Sequence, residues 1–185
     1  MKSAFRRTWS AVFCAVVISS GVAFAADKDK ADNKAIDDFN FAVWLYNTAK
    51  YPLAAESYGN FLKNYPDHEK SADARFGLAQ SLFHTDKFQD AAREYEKVRS
   101  EKKDFAQGAE LLFQLGQTYV ALGRLPEAAA LFEEATSKHS SHYLADWATA
   151  RRAGCLVNTG KNKEAEELLK GFLDNYAAGS TPADK

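Results

Sequence analysis

The stretch Ala109-Glu110-Leu111-Leu112-Phe113-Gln114-Leu115-Gly116-Gln117-Thr118-Tyr119-Val120-Ala121-Leu122-Gly123-Arg124-Leu125-Pro126-Glu127-Ala128, running on to Phe132 and Ala135, decides the fold. Its apolar residues recur at three- and four-residue spacing, the period of one helix face. Gly123 interrupts that pattern, and Pro126 follows in a first helical turn, where a missing N–H costs nothing. The stretch therefore reads as a helix, a tight turn and a second helix.

Outward from there, Ala128 has counterparts at Ala54, Ala91 and Ala165, each 37 residues from the next. The register holds elsewhere. A base stands in the turn at Lys50, Lys87, Arg124 and Lys161, followed by Tyr51, Phe88, Leu125 and Asn162. Past each alanine come Tyr58, Tyr95, Phe132 and Leu169, then Phe61, Val98, Ala135 and Phe172. In the first helix of each unit a small residue recurs at Ala42, Ala79, Gly116 and Ala153, with Leu45, Leu82, Tyr119 and Leu156 three residues later. Small residues on both helices permit a close approach, about 8–10 Å between axes. The large apolar residues form the buried stripe. The base lies where the first helix ends, beside its negative dipole end.

The motif Leu112…Leu115-Gly116…Tyr119…Gly123…Ala128…Phe132…Ala135 resembles the tetratricopeptide repeat. The expected fold is all-α, a right-handed α-solenoid of four helix–turn–helix repeats with period 37. That period exceeds the family's usual length of about 34, which lengthens the loops between units. The fourth unit departs most, with Arg152 where an apolar residue is wanted and Asn162 for the turn aromatic. Helix pairs are expected at 36–49 and 52–64, 71–85 and 89–100, 106–122 and 126–138, and 143–159 and 163–176. The wording Phe61-Leu62-Lys63-Asn64-Tyr65-Pro66-Asp67 is similar to tetratricopeptide proteins of the bacterial envelope, of the barrel-assembly lipoprotein and Tol–Pal-associated division-factor type.

The N-terminus reads as a signal peptide over residues 1–25. Lys2, Arg6 and Arg7 form a basic region, Ala11–Ala23 is apolar, and Ala23-Phe24-Ala25 is a small-x-small cleavage signal. The apolar run falls short of the roughly 20 residues of a membrane span; retention as an anchor is the alternative to cleavage. Residues 26–34 read as a solvated linker, 35–176 as the repeat domain and 177–185 as a polar tail. Without the leader's three bases the chain holds 21 Lys and Arg against 25 acids, a net charge of −4. That balance argues against nucleic acid, which wants a basic face. The expected location is periplasmic or secreted.

No nucleophile elbow, phosphate loop or dinucleotide fingerprint appears. His139 and His142 share a loop near Asp146, but a metal would need a further ligand in a closed geometry. Cys155 is the single cysteine after the leader, which excludes an internal disulfide; it reads as a small core residue. The expected protein is not an enzyme and has no metal, cofactor or small-molecule substrate.

What the resemblance implies is a concave face lined by the first helices. Its rungs are Phe39, Phe76, Phe113 and Ala150; then Val43, Gln80, Gln117 and Gly154; then Tyr46, Phe83, Val120 and Val157, beside Asn47, His84, Ala121 and Asn158, with Trp147 at the mouth of unit four. Phe39, Val43, Tyr46, Asn47, Phe76, Gln80, Phe83, His84, Phe113, Gln117 and Trp147 are the expected partner-binding residues. Such a face suits a peptide or partner domain of another envelope protein, aromatics giving area and amides fixing backbone groups. The competing position for the aromatics is between neighbouring first helices, as core. A solenoid also needs a polar cap, yet the last helix carries Leu168, Leu169, Phe172, Leu173 and Tyr176. That C-terminal edge fits the alternative function, a structural subunit that meets further copies or a larger complex through its ends.

Overall fold

The computed structural model describes residues 30 and 32–177, with side chains through Asp174; the leader and the polar tail past Ala177 lie outside the described residues. Among these residues there are eight helices and no strand. They are α1 (32–47), α2 (Tyr51–Asn64), α3 (Ser71–Phe83), α4 (Phe88–Glu101), α5 (Gly108–Ala121), α6 (Leu125–Lys138), α7 (Leu144–Asn158) and α8 (Asn162–Ala177). The all-α solenoid of four helix pairs is thus observed. Its helix ends fall close to the expected ones, except that α1 already includes residues 32–35. The reason is contact with a later part of the chain: Ala35 is buried, and Asp32 reaches His68 at 3.0 Å. The end of the charged stretch is helix rather than linker.

The first helix of every pair ends in the same way. The backbone turns left-handed at Ala49 (φ 57°), Asp86 (58°), Gly123 (73°) and Gly160 (78°), spaced by the repeat. The next N–H then bonds five residues back, Lys50 to Leu45 (2.9 Å), Lys87 to Leu82 (3.0 Å), Arg124 to Tyr119 (2.8 Å) and Lys161 to Leu156 (2.9 Å). This paired closure satisfies carbonyls that the helix end leaves open. The turn base serves through its backbone as well as its charge. Pro52 and Pro126 then open α2 and α6.

The loops between pairs repeat too. The second helices stop at Tyr65, Lys102 and His139, all with φ near −130°. Three residues on stand His68, Phe105 and His142. The two histidines do one job: Nδ1 accepts the N–H of Lys70 (3.1 Å) or Leu144 (3.2 Å), so Nε2 carries the proton and faces Asp32 or Glu110 (3.2 Å). His142 belongs to this loop closure, and among the described residues no three potential ligands gather around a metal position.

The repeated alanines at 42, 54, 79, 91, 128, 153 and 165 are all buried. Glycine goes further at two contacts: a Cβ on Gly116 would come within 2.7 Å of the Phe132 ring, and one on Gly77 would overlap the Tyr58 ring. Two core clusters result, one over α1–α3 and one over α3–α7. Arg152, the apparent flaw of unit four, is half-buried and bonds Glu133 at 2.9 Å, tying α7 to α6. Cys155 is buried, and that burial pushes its thiol pKa up, which keeps it an inert core residue.

Candidate functional site: the face of the first helices

Two of the three ladder phenylalanines are core, and the third packs partly buried beside it. Phe76 and Phe113 are 4% and 7% exposed, and Phe39 is half-buried. Each meets the aromatic residue of its own second helix at a steep angle: Phe39 with Tyr58 (6.1 Å, 61°), Phe76 with Tyr95 (5.6 Å, 61°), Phe113 with Phe132 (5.7 Å, 58°). Rings inclined toward edge-to-face, with centroids 4.5–7 Å apart, are a favoured aromatic packing. The expectation that Phe76 and Phe113 form groove anchors is corrected on this ground, whereas Phe39 is half-buried like Val43 and Tyr46. The repeat does want a ring here, opposite the ring of the second helix. In unit four both are absent, as Ala150 and Leu169.

The other rungs remain accessible. Val43, Tyr46, Gln80, Phe83 and Gln117 are half-buried, whereas Asn47 and His84 are exposed or partly so. Trp147 is 63% exposed. At the ends of α1 and α3 the rings condense into one group. His84 stacks on Tyr51 (4.1 Å, 12°), and its Nε2 lies 3.4 Å from the Tyr46 hydroxyl. Phe83 packs on Phe88 at 5.3 Å. Burial, and secondarily the Tyr51 side chain, raise the pKa of Tyr46, so its hydroxyl stays protonated and available as a donor. Tyr51 and Phe88 were legible only as turn aromatics; their share in this wall comes from the turn folding back over the first helices.

The wall gives way toward unit four. Gly154 has open space where a side chain would stand, Ala150 is exposed, and Val157 stands out from the surface. The face thus has an aromatic end in units one and two, two amides in the middle at Gln80 and Gln117, and an open end under Trp147. Among the described residues nothing along it points to catalysis.

Comparison with known proteins agrees with the fold. The sequence profile described as tetratricopeptide repeat matches residues 41–109 and 113–180. Among solved structures, MamA superposes with a TM-score of 0.68 at 18% identity, over 79% of this chain and 80% of that one. YrrB, described as a tetratricopeptide protein with an unusual peptide-binding site, gives 0.62 at 22% over 79% and 70%. A thermophilic protein of the same class from Thermus thermophilus gives 0.56 at 18% over 74% and 71%. At such identities the likeness is one of fold. No curated protein matches the sequence. The profile covers most of the chain and falls on the same helix pairs that the 37-residue register marks out, and the chain belongs to the tetratricopeptide repeat family.

Proposed function

We propose that this protein is an exported, non-catalytic scaffold that holds a peptide or partner domain of another envelope protein against its first helices. The observation that carries the reading is the accessible face itself. Tyr46, Phe83 and His84 offer aromatic area, Gln80 and Gln117 offer amides, and Trp147 stands clear of the surface. That YrrB is described as peptide-binding supports the reading by fold. The envelope setting rests on the leader pattern of residues 1–25 and the Phe61–Asp67 wording. N-terminal sequencing of native protein is expected to begin at Ala26, and an intact Met1 on cytoplasmic protein overturns export.

The binding test compares two variants with partner captured from envelope extract. Trp147→Ala is expected to weaken binding by about 2 kcal/mol with the melting midpoint unchanged, as truncation of an exposed anchor does. Phe76→Ala is expected to cost about 3–5 kcal/mol of stability and leave the affinity of the folded fraction intact, as a core truncation does. Full affinity in Trp147→Ala and in Tyr46→Ala together removes the groove reading.

A second reading, assembly through the solenoid ends, has its own observation. In units two to four the first helix carries Ser81, Thr118 and Cys155 in one register position, all buried, and α3, α5 and α7 each pack on the helix before them. The same register position in unit one is Trp44, 50% exposed and stacked on the 55%-exposed Phe41 at 5.9 Å. An aromatic pair thus stands where units two to four have small residues. At the other end Leu169 and Leu173 are exposed.

A further inference from the structure

Where the ends of α4 and α6 approach the start of α5, a cavity of about 320 Å³ opens on the surface. Arg99, Lys102, Lys103, Lys138 and His139 line it, against one acid, Glu134. The floor is apolar: Phe105, Leu111 and Leu112, all buried. None of the groove residues takes part.

A cation at a helix C-terminus is ordinary in itself, because it offsets the dipole. Here the cations of two helix ends converge, and the N-terminus of α5 at Gly108 faces the same space with its own positive dipole end. Glu134 bonds both Arg99 and Lys138, the latter at 2.8 Å. Among the described residues Lys102 and Lys103 form no ion pair. This excess of positive charge sits in a chain with more acids than bases.

The repeat shows that the fold does not require it. One unit earlier the register position of Leu112 holds Arg75, which reaches Glu94 at 2.8 Å and Glu101 at 3.5 Å. Thirty-seven residues on, those three positions are Leu112, Leu131 and Lys138. The exchange of Arg75 for Leu112 puts a short apolar side chain where unit two has a long, doubly ion-paired one. The exchange of Glu101 for Lys138 turns the charge of the cavity wall positive. Lys102-Lys103 replace Tyr65-Pro66 in the same register.

We propose that this cavity is a second binding site, for an oxyanion carried on an apolar body: a phosphate ester or a carboxylate whose stem rests on Phe105 and Leu112. The anion sits among Lys102, Lys103, Arg99 and the first amides of α5. The site is independent of the groove reading and stands or falls separately.

The test titrates the full chain with phenyl phosphate, phenylacetate and inorganic phosphate at fixed ionic strength, following the Gly108 amide and the His139 ring by NMR. Saturable shifts at both residues are expected with at least one of the aromatic anions. The double variant Lys102→Gln/Lys103→Gln is expected to weaken that binding roughly tenfold or more, since it deletes two charge-assisted contacts. Lys163→Gln/Lys170→Gln on α8 carries the same charge change at exposed positions and is expected to leave binding unaltered. Inorganic phosphate is expected to bind about tenfold more weakly, lacking the buried ring. The tighter of the two aromatic anions tells phosphate ester from carboxylate. Trp147→Ala, which disables the groove, is expected to change nothing here. Absence of saturation, equal loss in both double variants, or inorganic phosphate binding as well as the aromatic anions each overturns the proposal.

Discussion

At the scale of single residues the four left-handed turn positions are the clearest case of one backbone demand met by different side chains. Gly123 and Gly160 meet it freely, whereas Ala49 holds φ 57° with a Cβ present. That conformation disfavours L-residues by roughly 1–2 kcal/mol, partly offset by glycine's greater chain entropy. Ala49→Gly is therefore expected to raise stability by about 0.5–1 kcal/mol, read as a higher urea midpoint at unchanged slope. A lowered midpoint would mean that the turn is not held as described. The two glycines are audible in the sequence; Ala49 and Asp86 acquire the same role only through the register. Tyr95 offers a second case. Among the described residues its buried hydroxyl has no hydrogen-bond partner, and burial, then Tyr46, pushes its pKa well above the ordinary value. Phe132 occupies the same position one unit later without a hydroxyl. Tyr95→Phe is expected to gain about 1 kcal/mol by releasing an unsatisfied polar group; a loss in thermal scanning would reveal a partner for that hydroxyl.

Between elements, apolar registers were readable because burial repeats with the helix period, and all four pairs formed as their spacing predicts. Which face each ring turns to was not readable. Phe39, Phe76 and Phe113 lie on the helices that line the groove, but their direction depends on what stands opposite on the second helix, a contact 19 residues away in each unit. The start of α1 was missed for a related reason: Asp32 and Lys34 look like linker until His68 and Tyr65 arrive from the next loop, Lys34 lying 3.3 Å from the Tyr65 hydroxyl. Charge also ties elements together. Glu94 on α4 bonds Arg75 of α3 and Lys97 of its own helix. Burial works to raise its pKa, but the bonds from Lys97 and Arg75 outweigh it and hold the carboxyl below its ordinary 4.5. A lowered folded pKa adds stability that is fully present above the unfolded value and is lost as pH falls through the folded one. The stability difference between the parent chain and Glu94→Gln is thus expected to be constant near neutrality and to shrink as pH drops below 4.5. A difference independent of pH in acid unfolding curves would show that the bridge contributes nothing.

For the whole molecule the decisive property of a solenoid is that each unit touches only its neighbours, so the ends are surfaces of the same kind as the internal junctions. Units two to four carry small buried residues, Ser81, Thr118 and Cys155, at the register position where unit one exposes Trp44. A body docked on α1 would have to accommodate that larger side chain. The two ends differ, aromatic at Phe41 and Trp44 and aliphatic at Leu169 and Leu173. Contact between them would be heterologous, and heterologous contacts that do not close into a ring grow open chains. The end-assembly reading therefore makes a prediction that groove binding does not. In sedimentation, the parent chain is expected to show mass rising with concentration. Phe41→Ser/Trp44→Ser and Leu169→Ser/Leu173→Ser are each expected to be monomeric, with melting midpoints near the parent's because the altered side chains are already exposed. Mixed, the first variant still has a competent C-terminal edge and the second a competent N-terminal edge. The mixture is expected to stop at a dimer. A parent that stays monomeric at every concentration would eliminate assembly through the ends and leave the groove as the working surface. Dimers in either variant alone would instead mean an edge that pairs with its own kind.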